Sequence, residues 1–144
     1  MKIIHNFYEP EIVAGPSVIA LGTFDGLHLG HCDVIKTAHE YAQKHNLKLL
    51  AFTFTNHPLS EIRPKDVPAK LISNLDKERL FEKLGVDILV NVPFTHYFSQ
   101  LSPEDFLDKL KFFSFKCLVV GENYSYGFLG KGNTYEGKYK NIFE

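Results

Sequence analysis

The apolar positions of this chain fall into short unbroken runs, separated by stretches with helical periodicity. Ser17-Val18-Ile19-Ala20-Leu21 reads as a buried strand, and a glycine-rich turn follows from Gly22 to Gly30. The spacing then predicts a helix from about His31 to His45, with Val34, Ile35, Ala38, Tyr41 and Ala42 on one face. Leu47 to Thr55 is continuous enough in apolar character to be a strand buried on both faces. Pro58, Pro64 and Pro68 exclude a regular element between Asn56 and Lys70, so that stretch reads as a long loop, a feature often tied to function. Asn74 is the expected cap of a helix running to Leu84, with Gly85 as its stop. Val86 to Val92 reads as a third strand of the same buried type.

Ser102-Pro103-Glu104-Asp105 has the form of a helix start. Serine caps, proline suits the first helical position, and acids favour the positive end of the dipole. Phe106, Leu107, Leu110 and Phe113 form the apolar stripe of that helix. Lys116 to Val120 is a fourth strand that ends at Gly121, and Lys2 to Phe7 is a candidate edge strand. The alternation of strand and helix predicts an α/β fold: a Rossmann-like open parallel sheet with helices on both faces. Such sheets bind ligands outside the carboxyl ends of their strands, here at Gly22, Thr55, Pro93 and Gly121.

Composition narrows the class. The chain has 144 residues, 44% hydrophobic, 23% charged and 14% aromatic, as expected of one ordinary globular domain. Lys and Arg number 16 against 17 Asp and Glu, for a net charge of −1. A nucleic-acid binder would carry a basic excess, so none is expected as partner, whereas a small anionic ligand in one local site fits. The chain has no apolar run long enough to cross a bilayer, so no membrane partner is expected. Its first residues lack the apolar core of a signal peptide, and the reading predicts a cytoplasmic protein. Cys32 and Cys117 lie far apart and are expected to be reduced and structural. Nothing in the pattern sets an oligomeric state.

Candidate chemistry concentrates in Gly22-Thr23-Phe24-Asp25-Gly26-Leu27-His28-Leu29-Gly30-His31, between a strand and a helix. Glycines let the backbone approach a ligand closely, and a helix start offers free N–H groups and a positive dipole that suit phosphate. His28 and His31 are spaced to donate hydrogen bonds into one pocket. No glycine-lysine-serine/threonine triplet follows, and the glycine spacing is not that of a dinucleotide fingerprint. Two other readings stay open here: a metal held by His28, His31 and Cys32, for which no distant ligand pair is evident, and histidines satisfied as a cap and a core residue.

The pattern Gly22-x-Phe24-Asp25-Gly26-x-His28-x-Gly30-His31 resembles the first signature of the nucleotidylyltransferase superfamily. In its fuller form it is similar to the FMN adenylyltransferase module of bacterial FAD synthetases, usually followed by a riboflavin kinase domain. Gly121-Glu122-Asn123-Tyr124-Ser125-Tyr126-Gly127, then Gly132-Asn133, resembles that family's G-E-[DN]-F-x-F-G segment. Phe52-Thr53-Phe54-Thr55-Asn56-His57-Pro58 resembles its T-F-[DE]-P-H-P, with Thr55 and Asn56 in place of the acid and first proline. Leu101-Ser102-Pro103-Glu104-Asp105-Phe106 also resembles the family. Read without the family, Tyr124 and Tyr126 could pack, Asn123 could close a turn and His57 could be a plain loop residue.

The resemblance implies a nucleotidylyltransferase fold and transfer of AMP from ATP to FMN, giving FAD and pyrophosphate. It implies His28 and His31 as catalytic, with Gly22, Thr23, Phe24, Asp25, Gly26, Gly30, Gly121 and Glu122 on the ATP side. His57, Asn123, Tyr124, Tyr126 and Gly127 fall on the FMN side. Mg²⁺ would arrive with ATP, and no protein-held metal is expected. The superfamily's second signature, I-S-S-T-x-x-R, has no counterpart, since the chain contains no adjacent serine pair. The chain is therefore expected to be residues 1–144 of a truncated FMN adenylyltransferase domain with the kinase domain absent. A related transferase with another acceptor, and a non-catalytic nucleotide- or flavin-binding module, are the alternatives.

Overall fold

The computed structural model describes residues 1–6, 15–22, 24, 29–56, 65, 73–121, 125, 126, 132, 133 and 139–141. Its core is a sheet of strands β1 (Lys2–Ile4), β2 (Ser17–Leu21), β3 (Lys48–Phe54), β4 (Ile88–Val92), β5 (Phe115–Gly121) and β8 (Tyr139–Asn141). The spatial order is β1-β4-β3-β2-β5-β8. The helices are α1 (Leu29–His45), α2 (Asn74–Lys83), α3 (His96–Ser99) and α4 (Pro103–Leu110), the last continued by a 3₁₀ turn over Lys111–Phe113. Two-residue strands β6 (Ser125–Tyr126) and β7 (Gly132–Asn133) pair separately.

The order of strands explains the layering. From β2 to β3 to β4 the chain steps outward, crossing through α1 and α2; from β4 it returns past β3 and β2 to reach β5, crossing through α4. Parallel crossovers are right-handed, so a reversal of direction must put the returning helix on the opposite face. The two cores show this split. Val18, Ala20, Leu49, Ala51, Leu89, Cys117 and Val119 pack with Val34, Ile35, Ala38 and Ala42 of α1 and Phe81 of α2. Their strand neighbours Ile19, Leu21, Leu50, Phe52, Phe54, Val90, Leu118 and Val120 pack with Phe106 and Leu110 of α4 and with Phe113. Alternation with period two, buried on both sides, is why these strands read as unbroken apolar runs.

The helix starts follow local chemistry. Ser102 Oγ accepts from the N–H of Asp105 at 3.1 Å, with Pro103 at the first helical position. At α2 the cap is Ser73, not Asn74: Ser73 Oγ accepts from the N–H of Asp76 at 3.1 Å. Asn74 is already helical, and its amide is used elsewhere, on the carbonyl of Thr55. Gly85 closes the helix with φ +88, the left-handed geometry that a Cβ disfavours. Helix α1 begins at Leu29, two residues before the expected start, which brings Gly30 and His31 into its first turn.

Two further features differ from expectation. The edge strand β8 runs antiparallel to β5, Gly121 opposite Tyr139, so the sheet is parallel except at that edge. Helix α3 has only four residues, too short to leave a periodic signal. Most of the proline-rich stretch from Asn56 to Lys70 lies outside the described residues, as does the side chain of Cys32. Cys117 is buried on β5, its thiol not part of a disulfide. No helix among the described residues is long and apolar enough to cross a membrane.

Phe52 is fully buried and meets Phe54 and Phe106 edge to face, whereas Phe112 is 42% exposed. Phe52→Ala is expected to cost about 3–5 kcal/mol in chemical denaturation. Phe112→Ala should stay within about 0.5 kcal/mol. Equal losses would contradict the burial of Phe52 and the exposure of Phe112.

Candidate functional site

Because β2 and β5 are neighbours and parallel, with Leu21 level with Val120, both strands end at the same edge of the sheet. Gly22 follows the one and Gly121 completes the other. Between them the winding of the sheet reverses, and this is the crevice where open α/β sheets receive ligands. Helix α1 crosses back antiparallel to the strands, so its first turn, with Gly30 and His31, starts from this same end. First-turn N–H groups have no partner within a helix, and with the positive dipole end they suit an anion there.

The turn after β2 is held from below. Phe24 is 5% exposed and meets Phe81 of α2 edge to face, ring centroids 5.0 Å apart. Its ring lies against Gly22, where an added Cβ would come within 2.8 Å of Phe24 Cζ and 2.9 Å of Cε2. Glycine is therefore required at 22 by the ring beneath it. Phe24 has φ 51, a left-handed conformation that is an outlier for a bulky residue and typically costs about 1–3 kcal/mol. Burial of the ring against Phe81 offsets that cost. Anything Phe24 offers a ligand comes from its main chain, since its side chain is spent in the core.

The end of β3 is tied just as closely. Asn56 Nδ2 donates to the Phe94 carbonyl at 3.0 Å, and the Phe94 N–H donates to Asn56 Oδ1 at 2.7 Å. Proline could make neither bond, so the replacement noted at 56 links the ends of β3 and β4. Asn74 Nδ2 reaches the Thr55 carbonyl at 3.1 Å, and Lys77 Nζ reaches the Phe54 carbonyl at 3.1 Å. Lys77 is only 1% exposed. Burying an ammonium costs several kcal/mol before compensation, so this lysine is an unusual feature of the site end. Asn91 on β4 is fully buried in register with Thr53, and neither Asn91 Oδ1 nor Nδ2 has a hydrogen-bond partner among the described residues. The Asn74 Oδ1 likewise has no partner among the described residues. Lys77 escaped the sequence reading because lysine normally marks a solvated face. Its signal is positional: it stands one turn before Phe81 on the buried stripe of α2.

The expected site residues are placed as follows. Gly22, Gly30, His31 and Gly121 are brought to one end of the sheet by β2, α1 and β5, while Tyr126 lies in the small β6–β7 pair. Thr23, Asp25, Gly26, His28, His57, Glu122, Asn123, Tyr124 and Gly127 lie outside the described residues. Among the described residues, no three His, Cys, Asp or Glu side chains are grouped as a metal would require.

This arrangement defines a class: an open α/β fold with a glycine turn, a helix start and a second strand end converging at the switch point. A family model described as FAD synthetase matches residues 11–141, and the chain belongs to that family. It is 38% identical over 137 residues to the bifunctional riboflavin kinase/FMN adenylyltransferase of Bacillus subtilis (strain 168), covering 92% of this chain and 43% of that protein. The protein of the same description from Listeria monocytogenes is 45% identical over 120 residues, covering 80% of this chain and 37% of that one. A Listeria monocytogenes FAD synthetase is 30% identical over 129 residues, covering 88% and 52%. The chain thus covers between 37% and 52% of the length of these relatives. A solved structure described as a macrolide-efflux protein from Streptococcus pneumoniae superposes with a TM-score of 0.79 at 26% identity, over 92% of this chain and 45% of that one.

Gly22→Ala is expected to force the Phe24 ring out of place, at about 1–3 kcal/mol for overpacking. A melting curve should then shift down by roughly 4–10 °C for a chain of this size. An unshifted melt would mean the Phe24 ring does not fill the space under Gly22.

Proposed function

We propose that this chain carries the site that transfers AMP from ATP to FMN, yielding FAD and pyrophosphate. One observation carries the reading: the segments resembling the adenylyltransferase signatures, Gly22–His31 and Gly121–Gly127, leave from the ends of neighbouring parallel strands at the switch point of a family fold. ATP enters as its magnesium complex, with the ion held mainly by phosphate oxygens.

The chemistry is a displacement at the α-phosphorus of ATP. A phosphate oxygen of FMN forms the new P–O bond, and the bond from the α-phosphorus to the bridging oxygen of the pyrophosphate breaks. FMN phosphate is already an anion near neutral pH, so no base is needed to activate it. The barrier is charge, because one anion must approach another. Positioning and neutralisation therefore do the work. In this reading His28 and His31 donate to the α-phosphate and the leaving pyrophosphate, aided by main-chain N–H groups of Gly22 to Gly30. The main chain of Thr23, Phe24, Asp25 and Gly26 lines the phosphates. Gly121 and Glu122 receive the adenosine. His57, Asn123, Tyr124, Tyr126 and Gly127 face the flavin, where an aromatic ring stacks and the amide pairs with a polar edge.

The test is incubation of this chain with ATP, Mg²⁺ and FMN, with FAD followed by chromatography. Wild type should form FAD, and His28→Ala or His31→Ala should lower turnover by about 10²–10³, the usual loss for one transition-state donor. Full turnover in both variants would overturn the histidine roles. Absence of FAD from a folded chain that still binds FMN would leave a binding module instead. Product formed with cytidine triphosphate in place of ATP would indicate a related transferase.

A further inference from the structure

We propose that Lys77 is a positioning residue for the nucleotide–flavin site, holding the end of β3 and the turn after β2 in one fixed relation. The inference rests on the proposed function and adds to it a helix that no signature segment contains.

Three side chains of α2 reach the ligand end of the sheet. Asn74 holds the carbonyl of Thr55, Lys77 holds that of Phe54, and Phe81 packs on Phe24. They stand at i, i+3 and i+7, so they lie along one stripe of the helix. Phe54 and Thr55 lead into Asn56 and His57, while Phe24 lies inside the glycine turn. One rigid element thus touches both segments that the reaction must bring together. The Phe54 carbonyl also points toward β2: strand carbonyls alternate sides, and Phe52, two residues earlier, accepts from the N–H of Gly22. The ammonium of Lys77 therefore bonds the end of β3 at its β2-facing edge.

Stability alone does not account for the choice of residue. Lys77, Thr53 and Asn91 are buried polar residues on a face otherwise packed with Phe81, Leu89, Ala51 and Ala20. Well-packed apolar side chains of similar volume are often as stabilising as a buried charged group, or more so. What an apolar residue cannot do is grip a particular carbonyl. Fixing the loop that leaves β3 to within a fraction of an ångström is the kind of task on which transfer depends, since a misplacement of about 1 Å can cost on the order of a hundredfold in rate.

The experiment compares wild type, Lys77→Met and Lys77→Arg for FMN affinity, read by quenching of flavin fluorescence, for FAD formation, and for melting temperature. Met keeps the length and the packing beside Phe81 but removes the donor; Arg keeps charge and donor. The expected result is a loss in FMN affinity or FAD formation of roughly tenfold or more in Lys77→Met, at a nearly unchanged melting temperature, with substantial recovery in Lys77→Arg. A Lys77→Met chain that binds FMN and forms FAD as wild type does overturns this proposal alone. A loss that only follows a lowered melting temperature also overturns it, since Lys77 would then merely support the fold. Should Lys77→Met fail to fold, Lys77→Gln is measured in its place, and failure of both to fold counts against the proposal. A folded wild type that binds no FMN overturns the proposed function and this inference with it.

Discussion

Leu21 and Val120 stand side by side because β2 and β5 pair in parallel, although α1, β3, α2, β4, α3 and α4 separate them along the chain. That pairing sets where everything functional goes. It requires the chain to return past β3 and β2 after β4, which puts α4 on the face opposite α1 and α2. It also leaves an opening at one end of the sheet, because the connections on either side of it wind in opposite directions. Gly22 and Gly121 flank that opening, and the first turn of α1 starts from it. The distances in sequence are large, but the geometry leaves few other arrangements.

The opening is shaped by side chains packed beneath it. Phe24 adopts an unfavourable backbone conformation and hides its ring under Gly22, against Phe81. The cost is local and the compensation is tertiary, a division commonly found at functional turns. At β3 the same logic appears with polar groups. Asn56 grips the main chain of Phe94 from both sides, and Asn74 and Lys77 hold two successive carbonyls. The amino end of the sheet is closed by turns with Asn46, Gly85 and Ser114 in left-handed conformations, and there the Asp87 carboxylate accepts from the N–H of Leu49 on β3.

Much of this was legible in the sequence. The strand at Ser17–Leu21 was readable to the residue, because an apolar run that is buried on both faces and stopped by glycine has few other interpretations. The start of α4 was readable because Ser102-Pro103-Glu104-Asp105 satisfies the capping, φ and dipole preferences together. Ser73 and Asn74 can both cap, and only the tertiary pull of the Thr55 carbonyl separates them. The antiparallel β8 gave no signal, since three residues are too few for a period. Lys77 gave a misleading one, because its buried position follows from Phe81 and not from its own chemistry. Of the site, the residues at strand ends were legible through the α/β rule, whereas the brace beneath them becomes visible only when α2 is docked.

The central claim is that nucleotide binds between the ends of β2 and β5, and amide hydrogen exchange with and without the magnesium complex of ATP tests it most directly. The account predicts that ATP slows exchange at Gly22, at Leu29–His31 and at Gly121, and leaves the opposite end, at Asn46, Gly85 and Ser114, unchanged. Protection confined to that opposite end, or none at the β2 and β5 ends in a chain that binds ATP, would contradict it.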